Sequence, residues 1–195
     1  MLYNVLVNHK HYKIYKPYGY LSQFVNHQNK RRNKKLLSDL FDLSKDTMAI
    51  GRLDEKSEGL LLLTTDGKFS QYIRSNAVEK EYHVMVDGLI TEEHLETLRN
   101  GVEISVNSKP YITKSCKVDV LDDTSHIVER FVRDERHGAT SWLSITITEG
   151  KFRQVRKMTA SIGLPTLRLV RVRIGDYKLE MMQPGEIVEF NSPRF

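Results

Sequence analysis

Several segments of the chain have the spacing of apolar residues that is typical of β-strands. The segment "KEYHVMVDG" (80–88) alternates, which places its tyrosine and both valines on one face of a strand. The segment "SWLSITITEG" (141–150) alternates in the same way and directs its leucine and both isoleucines inward. The run "GLLLLTT" (59–65) is apolar throughout its first half, which indicates a strand that is buried on both faces.

Other segments have the spacing and end signals of helices. "TEEHLETLRNG" predicts a helix with Thr91 as its N-cap, glutamates in its first turn and Gly101 as its stop. "KFRQVRKMTASIG" predicts a helix over residues 151–162, because a glycine and then a proline follow it. Shorter helices are predicted within "LLSDLFDL" (36–43) and "GKFSQYIRSN" (67–76).

The order of these elements predicts the fold class. Strands often follow one another, as in the further strands predicted from "KPYITKSCKVDVL" (109–121), "TLRLVRVRIGDY" and "GEIVEF", and helices are inserted irregularly. This order favours an α+β fold with a mixed, mostly antiparallel central sheet flanked by helices and loops over a doubly wound fold. Residues 122–140 predict a long excursion between strands. A length of 195 residues suits one domain, or two small lobes that share a sheet.

Composition narrows the class of protein further. The lone Cys116 allows no internal disulfide, which favours a reducing compartment, and the scattered histidines offer no metal-ligand spacing. The longest apolar run, residues 59–63, is too short to cross a bilayer. We therefore expect a soluble, cytoplasmic protein without a metal site or a membrane partner.

Positive charge is concentrated in three places, although the net charge is only +5. The predicted helix 151–162 places cations opposite its apolar face, and the strand after it carries Arg168, Arg171 and Arg173, the last two on one face. The third place is the basic loop "NHQNKRRNKK" (26–35). Such a surface suits a phosphate backbone, while the alternative is a set of solvated charges.

A charged loop stands directly before the buried strand in "GRLDEKSEGLLLLTTDG" (51–67). A carboxylate in such a loop can be held rigidly by the strand, and an arginine can partner it if it is partly desolvated. Asp54, with Arg52 and Glu58 nearby, is therefore a candidate site residue. The alternative is an ordinary charged turn.

Five blocks of the sequence resemble the small-subunit synthase A group of bacterial ribosomal-RNA pseudouridine synthases, in the order of that family. The blocks are "KPYGYLSQF", "GRLDEKSEGLLLLTTDG", "KEYHVMVDG", "EGKFRQVRKMTASIGLPTLRLVR" and "IGDYKL", which together span about Lys16 to Phe190. The resemblance implies a pseudouridine synthase fold in a single catalytic domain (1–195), with lobes of about 1–85 and 86–190. Most members carry a small basic S4-like RNA-binding domain before "KP", and we expect none here.

The resemblance also implies an activity and its residues. The reaction isomerises uridine within RNA to its C-glycoside and needs no cofactor. Asp54 matches the family's indispensable aspartate, which acts as a nucleophile at C1′ or removes the 2′ proton; the sequence leaves both routes open. Arg156 matches the arginine that pairs with this carboxylate. Tyr82 matches the tyrosine that stacks on the target base, although it is also compatible with a core aromatic.

The resemblance further implies a ribosomal-RNA partner, with a single-stranded or loop uridine of the large-subunit 23S RNA as the expected target. We take a monomer as the default oligomeric state. Arg52 is expected to fill the gap left by the extruded nucleotide. The predicted substrate-binding residues are Arg52, Lys80, Lys151, Arg153, Gln154, Lys157, Arg168 and Arg171.

Two other functions remain open from the residues alone. A non-catalytic RNA-binding or ribosome-assembly protein would use the basic helix and strand but would not need Asp54. A glycosidase would use Asp54 and Glu58 as paired carboxylates, whereas the pseudouridine synthase reading makes Glu58 structural.

Overall fold

The computed structural model describes residues 8–25 and 33–191. Nine of the strands in these ranges form one sheet, and the other two form a separate hairpin. The strands are β1 (His11–Lys16), β2 (Met48–Ala49), β3 (Glu58–Thr64), β4 (Lys80–Asp87), β5 (Glu103–Val106), β6 (Lys109–Ile112), β7 (Lys117–Val120), β8 (Thr140–Ile147), β9 (Thr166–Ile174), β10 (Tyr177–Lys178) and β11 (Ile187–Phe190).

The sheet has the order β11-β1-β3-β9-β4-β8-β7, with β2 paired to β3 and β10 paired to β9. Within the described ranges, β3 and β9 run parallel and the other strand pairs run antiparallel. The prediction of an α+β fold with a mixed, mostly antiparallel sheet is confirmed. The parallel pair matters for function, because β3 follows the charged loop and β9 follows the basic helix.

In the described part of the chain, three α-helices cover the sheet: α1 (Gly67–Arg74), α2 (Glu92–Asn100) and α3 (Gln154–Ser161). The capping prediction for α2 is confirmed, since the Thr91 side chain accepts a hydrogen bond from the His94 amide. Gly101 ends this helix at φ +97°, and a Cβ there would meet the Thr113 carbonyl oxygen at 2.3 Å. Helix α2 therefore begins and ends where its local signals predict.

Strand β3 is buried along its whole length, as predicted. Its leucines alternate between two core clusters: Leu60 and Leu62 face one, and Leu61 and Leu63 face the other. A third cluster lies between β4, β8, α2 and α3. Since β3 is anchored on both faces, the loop directly before it starts from a fixed point.

Two element predictions are wrong. Residues 36–43 form only a 3-10 turn, Leu37–Asp39, in which the Leu40 and Phe41 amides share the Leu37 carbonyl. Leu37 and Phe41 are both buried in the core cluster that contains Leu61 and Leu63, so tertiary packing decides the conformation here. The single strand predicted over 109–121 is two strands, β6 and β7. The chain leaves the hairpin at Thr113, which exchanges hydrogen bonds with Val102, and joins the main sheet only at Lys117.

The basic loop 26–35 lies mostly outside the described residues, which resume at Asn33. Of its cations that are described, Lys34 forms an ion pair with Glu55 at 2.6 Å. Lys35 lies over the ring of Tyr20, 5.4 Å from the centroid. The described helices are all too short or too polar to cross a bilayer.

Candidate active site

A cavity of about 340 Å³ opens where two of the core clusters meet. One wall comes from the cluster under α3, and the other comes from the cluster behind β3 and α1. The apolar wall residues are Ile50, Leu53, Ile73, Ile147, Val155, Leu169 and Ile174. The predicted site residues that line the cavity are Arg52, Asp54, Lys80, Tyr82, Lys151, Arg153, Gln154, Arg156 and Arg171.

The loop that carries Asp54 is held by a few specific contacts. Leu53 is buried, and its amide and carbonyl both bond the Ser22 hydroxyl, at 2.9 and 2.8 Å. The Ser57 amide donates to the Asp54 carbonyl at 3.0 Å and so closes a turn around the aspartate. The Asp54 side chain remains 26% exposed, which leaves it accessible from the cavity.

Arg156 of α3 reaches this loop from the opposite wall. Its Nη2 donates to the Lys56 carbonyl at 2.7 Å and to the Ser57 hydroxyl at 3.1 Å. Its Nε lies 3.8 Å from Asp54 Oδ2, and this buried donor has no hydrogen-bond partner among the described residues. Burial lowers the pKa of Arg156, and the charge of Arg153 lowers it further, while Asp54 opposes the shift.

Arg153 is the second cation beside the aspartate, with Nη1 3.7 Å from Asp54 Oδ2. It stands immediately before α3 in the left-handed region, at φ 53°. Such a conformation costs a residue with a Cβ about 1–2 kcal/mol. It also explains why α3 begins at Gln154, three residues later than predicted.

Glu149 fixes the start of α3, a role that the sequence patterns did not predict. This carboxylate is buried and accepts from the Tyr111 hydroxyl, the Lys114 amide and Gln154 Nε2, at 2.5, 2.8 and 2.7 Å. Burial alone would raise the pKa of Glu149, but these hydrogen bonds outweigh burial and lower it. The available signal was an acid ending the apolar alternation of "SITITEG".

Tyr82 and Arg171 form the sheet side of the cavity, where they face each other across β4 and β9. Arg171 is buried, and its Nε donates to the Leu60 carbonyl at 2.8 Å. Its Nη2 is a second buried donor without a partner in the described part of the chain. The Tyr82 ring packs against the core cluster under α3, so the core reading of this residue and its place in the cavity both hold.

Lys80 lines the cavity, but its amine is already used by the protein. Nζ donates to the carbonyls of Ser75 and Thr148, at 2.9 and 3.1 Å. Burial lowers the pKa of Lys80, and the nearby Arg171 lowers it further. Arg52 and Lys151 are exposed at the cavity mouth.

Two predicted substrate-binding residues lie outside the cavity. Arg168 pairs with Met85 across the strands, so it faces the side of the sheet opposite Tyr82, where it is buried against Glu58. We correct this prediction, because the Arg168 guanidinium is committed to a carboxylate away from Asp54. Lys157 is on α3 outside the cavity, and its amine donates to the Ser105 carbonyl at 2.5 Å.

The expectation that Arg171 and Arg173 share one face is also wrong. A bulge interrupts the register between Glu81 and Tyr82, so that Arg171 pairs with Tyr82 and Arg173 pairs with Glu81. Arg173 then forms ion pairs with Glu79 and Glu81, at 2.9 and 2.7 Å. The basic face predicted for β9 therefore reduces to Arg171 within the cavity.

Glu58 does not form a carboxylate pair with Asp54. It is 2% exposed and is held by Arg168 at 2.7 Å and by Arg130 at 3.1 Å, on the far side of β3 from the cavity. This contradicts the two-carboxylate glycosidase reading and supports a structural role. The arginines that hold it come from β9 and from the excursion, which ties both to the start of β3.

Lys16, a second residue missed from the sequence, is fully buried at the end of β1. Its amine donates to the carbonyls of Pro17 and Tyr20, at 3.0 and 2.7 Å. Burial lowers the pKa of Lys16 to about 7, although Glu58 and Asp54 both act to raise it. Lys16 thus fixes the turn next to the Asp54 loop.

The cavity combines an accessible carboxylate, two adjacent cations and an aromatic ring with unused buried donors. Its volume lies within the range of small-ligand pockets and suits a planar ring about the size of a nucleobase. The described residues contain no cluster of side chains that could hold a metal ion. The accessible carboxylate, the arginine donors and the tyrosine ring together suit chemistry that an aspartate performs on a bound planar ring.

Comparison with known proteins identifies relatives along most of the chain. The family model described as RNA pseudouridylate synthase matches residues 10–161. Ribosomal large subunit pseudouridine synthase E from Xanthomonas axonopodis pv. citri is 44% identical over 173 residues, covering 87% of each chain. The protein of the same name from Vibrio parahaemolyticus is 46% identical over 175 residues, covering 88% of this chain and 69% of the relative.

A solved structure described as a pseudouridylate synthase has the same fold. It superposes with a TM-score of 0.75 at 26% identity, covering 95% of this chain and 72% of the other.

Proposed function

Because this chain belongs to the RNA pseudouridylate synthase family, we propose that it converts a uridine of large-subunit ribosomal RNA to pseudouridine in the Asp54 cavity. The observation that carries the proposal is the position of the Asp54 carboxylate, accessible from a base-sized cavity and within 3.8 Å of two arginines. A protein that only bound RNA would gain nothing from an acid facing a polyanion.

The reaction breaks the N1–C1′ bond of uridine, turns the uracil and joins C5 to C1′, after which the C5 proton is lost. Asp54 either attacks C1′ or removes the 2′ proton, and both routes need its ionised form. Arg153 Nη1 and Arg156 Nε both place positive charge within 3.8 Å of Asp54 Oδ2. Arg156 also keeps the loop in place through Lys56 and Ser57.

The uracil ring would stack on Tyr82, opposite the wall that carries Asp54. The unused donors, Arg156 Nε and Arg171 Nη2, could bind the uracil carbonyl oxygens or the ribose hydroxyls. Arg52, exposed at the mouth, is placed to enter the gap that an extruded nucleotide leaves. The reaction itself requires no redox step and no group donor, so we propose no cofactor.

We also propose that the chain acts as a single catalytic domain, as a monomer and in the cytoplasm. The shared sheet supports one domain, since its strands come from both of the expected lobes. Light scattering on the purified protein, with and without RNA, measures its molar mass and so tests whether it is a monomer.

Release of tritium from 5-tritiated uridine in a ribosomal-RNA transcript tests the proposed activity directly. The proposed enzyme releases tritium, because C5 loses its hydrogen when it bonds to C1′. A non-catalytic RNA-binding or ribosome-assembly protein would shift the transcript in a gel and release none.

Mapping pseudouridines in total ribosomal RNA tests the choice of RNA. Cells without this protein should lack one pseudouridine of the large-subunit RNA, and the wild-type gene should restore it. A missing site in the small-subunit RNA alone would overturn the choice of substrate while leaving the activity intact.

A further inference from the structure

Phe152 is a large aromatic residue exposed at the edge of the candidate active site. Its side chain is 68% exposed, while its neighbours Lys151 and Arg153 both line the cavity. The left-handed turn at Arg153 directs the chain into α3 and leaves the phenylalanine outside the cavity wall. Burial in the core therefore does not explain an aromatic residue at this position.

The Phe152 ring is not isolated, since a fixed cation lies against it. Lys157 Nζ is 5.4 Å from the ring centroid and donates to the Ser105 carbonyl of β5 at 2.5 Å. A cation on one side of an aromatic ring leaves the other side available for a flat partner. The high exposure of Phe152 agrees with an open ring face.

A second pair of the same kind stands beside the first. Lys151 Nζ lies 4.7 Å from the centroid of the Tyr111 ring, and Glu149 holds the Tyr111 hydroxyl. Within residues 8–25 and 33–191, neither lysine is in an ion pair with a carboxylate, so both charges remain available to a ligand. We name Tyr111, Lys151, Phe152 and Lys157 the stacking shelf.

We propose that the stacking shelf binds the unpaired nucleotide next to the target uridine, with its base stacked on Phe152 and its phosphate near Lys151 and Lys157. The proposal deepens the proposed function and rests on it for the nature of the partner. Cations combined with an exposed ring are what single-stranded RNA recognition requires, because phosphates bind the charges and any base can stack.

The shelf also suits the chemistry inside the cavity. Extruding the target uridine removes the stacking partner of its neighbour in the RNA. The exposed Phe152 ring, adjacent in the chain to two residues that line the cavity, replaces that partner and so offsets part of the cost of extrusion. Phe152 thus positions the RNA without touching the reacting atoms.

Binding of two oligomers tests the proposal without relying on isomerisation. Fluorescence anisotropy at low salt measures affinity for dodecauridylate and for a ribose-phosphate oligomer of equal length without bases. Phe152→Ala should weaken binding of dodecauridylate by about 5- to 100-fold and leave binding of the baseless oligomer unchanged. Phe152→Trp should bind both oligomers as the wild type does.

Phe131→Ala is the matched control, since Phe131 is 81% exposed but lines a different cavity on the excursion. It should leave both affinities unchanged. Equal binding of dodecauridylate by Phe152→Ala and the wild type would overturn the proposal. An equal loss for both oligomers would also overturn it, because the ring would then act only by positioning Lys157.

Single-turnover kinetics separate an effect on RNA binding from a general effect on the fold. Phe152→Ala should raise the RNA concentration for half-maximal rate and leave the maximal single-turnover rate within about threefold. Absence of tritium release by the wild type would instead count against the proposed function, and the binding result would still decide the role of the shelf.

Discussion

Arg156 connects three parts of the site with one side chain, and we expect lysine to replace it poorly. The guanidinium donates to the Lys56 carbonyl and the Ser57 hydroxyl, and its Nε lies 3.8 Å from Asp54 Oδ2. A lysine amine is a point charge and cannot reproduce this geometry. Arg156→Lys should lower the single-turnover isomerisation rate by about 10- to 1000-fold.

Thermal unfolding of Arg156→Lys controls for damage to the fold, and its midpoint should remain close to that of the wild type. Lys45→Arg provides a matched control for the exchange of these two cations, because Lys45 is exposed on a turn before β2. A rate for Arg156→Lys within twofold of the wild type would contradict the proposal that the Arg156 guanidinium holds the Asp54 loop in place.

Lys16 should make stability depend on pH in one direction. Burial gives it a pKa of about 7 in the folded chain, compared with 10.5 when exposed. Between these values the unfolded chain binds the additional proton, so raising the pH favours the folded state. The free energy of unfolding should rise by at most about 1.4 kcal/mol per pH unit in this range. Below pH 7, where both states are protonated, Lys16 adds no further pH dependence.

Urea unfolding of the wild type and of Lys16→Met at pH 7 and pH 9 measures this effect. The wild type should gain stability relative to the variant as the pH rises. A constant difference between the two proteins would show that Lys16 has an ordinary pKa in the fold.

At the scale of elements, the approach of β3 and β9 sets the shape of the cavity. Gly59 on β3 has φ +102°, and a Cβ there would lie 2.4 Å from the Arg171 carbonyl oxygen. Gly59→Ala should therefore cost about 3 kcal/mol of unfolding free energy and also reduce activity, since Arg171 would move.

Gly51→Ala is the matched comparison, because Gly51 has φ +70° but open space around a Cβ. Gly51→Ala should lower the free energy of unfolding by about 1 kcal/mol, because only the backbone conformation is unfavourable for alanine there. Equal costs for the two alanine variants in urea unfolding would contradict the close-approach argument.

Elements with complete local signals were predictable from the sequence, and those defined by distant partners were not. Helix α2 has its own N-cap and glycine stop, and β3 has its unbroken leucines. The break between β6 and β7 depends instead on Val102 and Glu149, which pair with Thr113 and Lys114 from other segments. The bulge that turns Arg173 away from Arg171 likewise depends on pairing with β4.

In the whole molecule, the cavity lies between two core clusters, and each cluster is built from residues of several distant segments. The family resemblance predicted which residues meet there, and nine of the eleven predicted site residues do line the cavity. Arg168 was misplaced because the sequence gives its charge but not its buried partner Glu58. Glu149 was missed because an acid at the end of an apolar alternation does not show which groups converge on it.

The positive charge at the cavity mouth and on the neighbouring stacking shelf should make RNA binding depend on salt. Arg52, Lys151, Arg153 and Lys157 could neutralise about four phosphates, which predicts a log–log slope of about −2.8 for single-stranded RNA. Affinity for dodecauridylate should then fall by about 50-fold between 50 and 200 mM salt. Lys157→Ala should reduce the magnitude of the slope by about 0.7. A wild-type slope near zero would contradict binding of phosphates by these side chains.

The role of Asp54 is tested by the single-turnover rate of Asp54→Asn on ribosomal RNA, measured together with RNA affinity and unfolding. The asparagine keeps the shape of the side chain but cannot act as a nucleophile or a base. We predict a rate at least about 10⁴-fold below the wild type, with affinity within about threefold and unchanged unfolding. Isomerisation by Asp54→Asn within about tenfold of the wild-type rate would contradict the central role of this carboxylate.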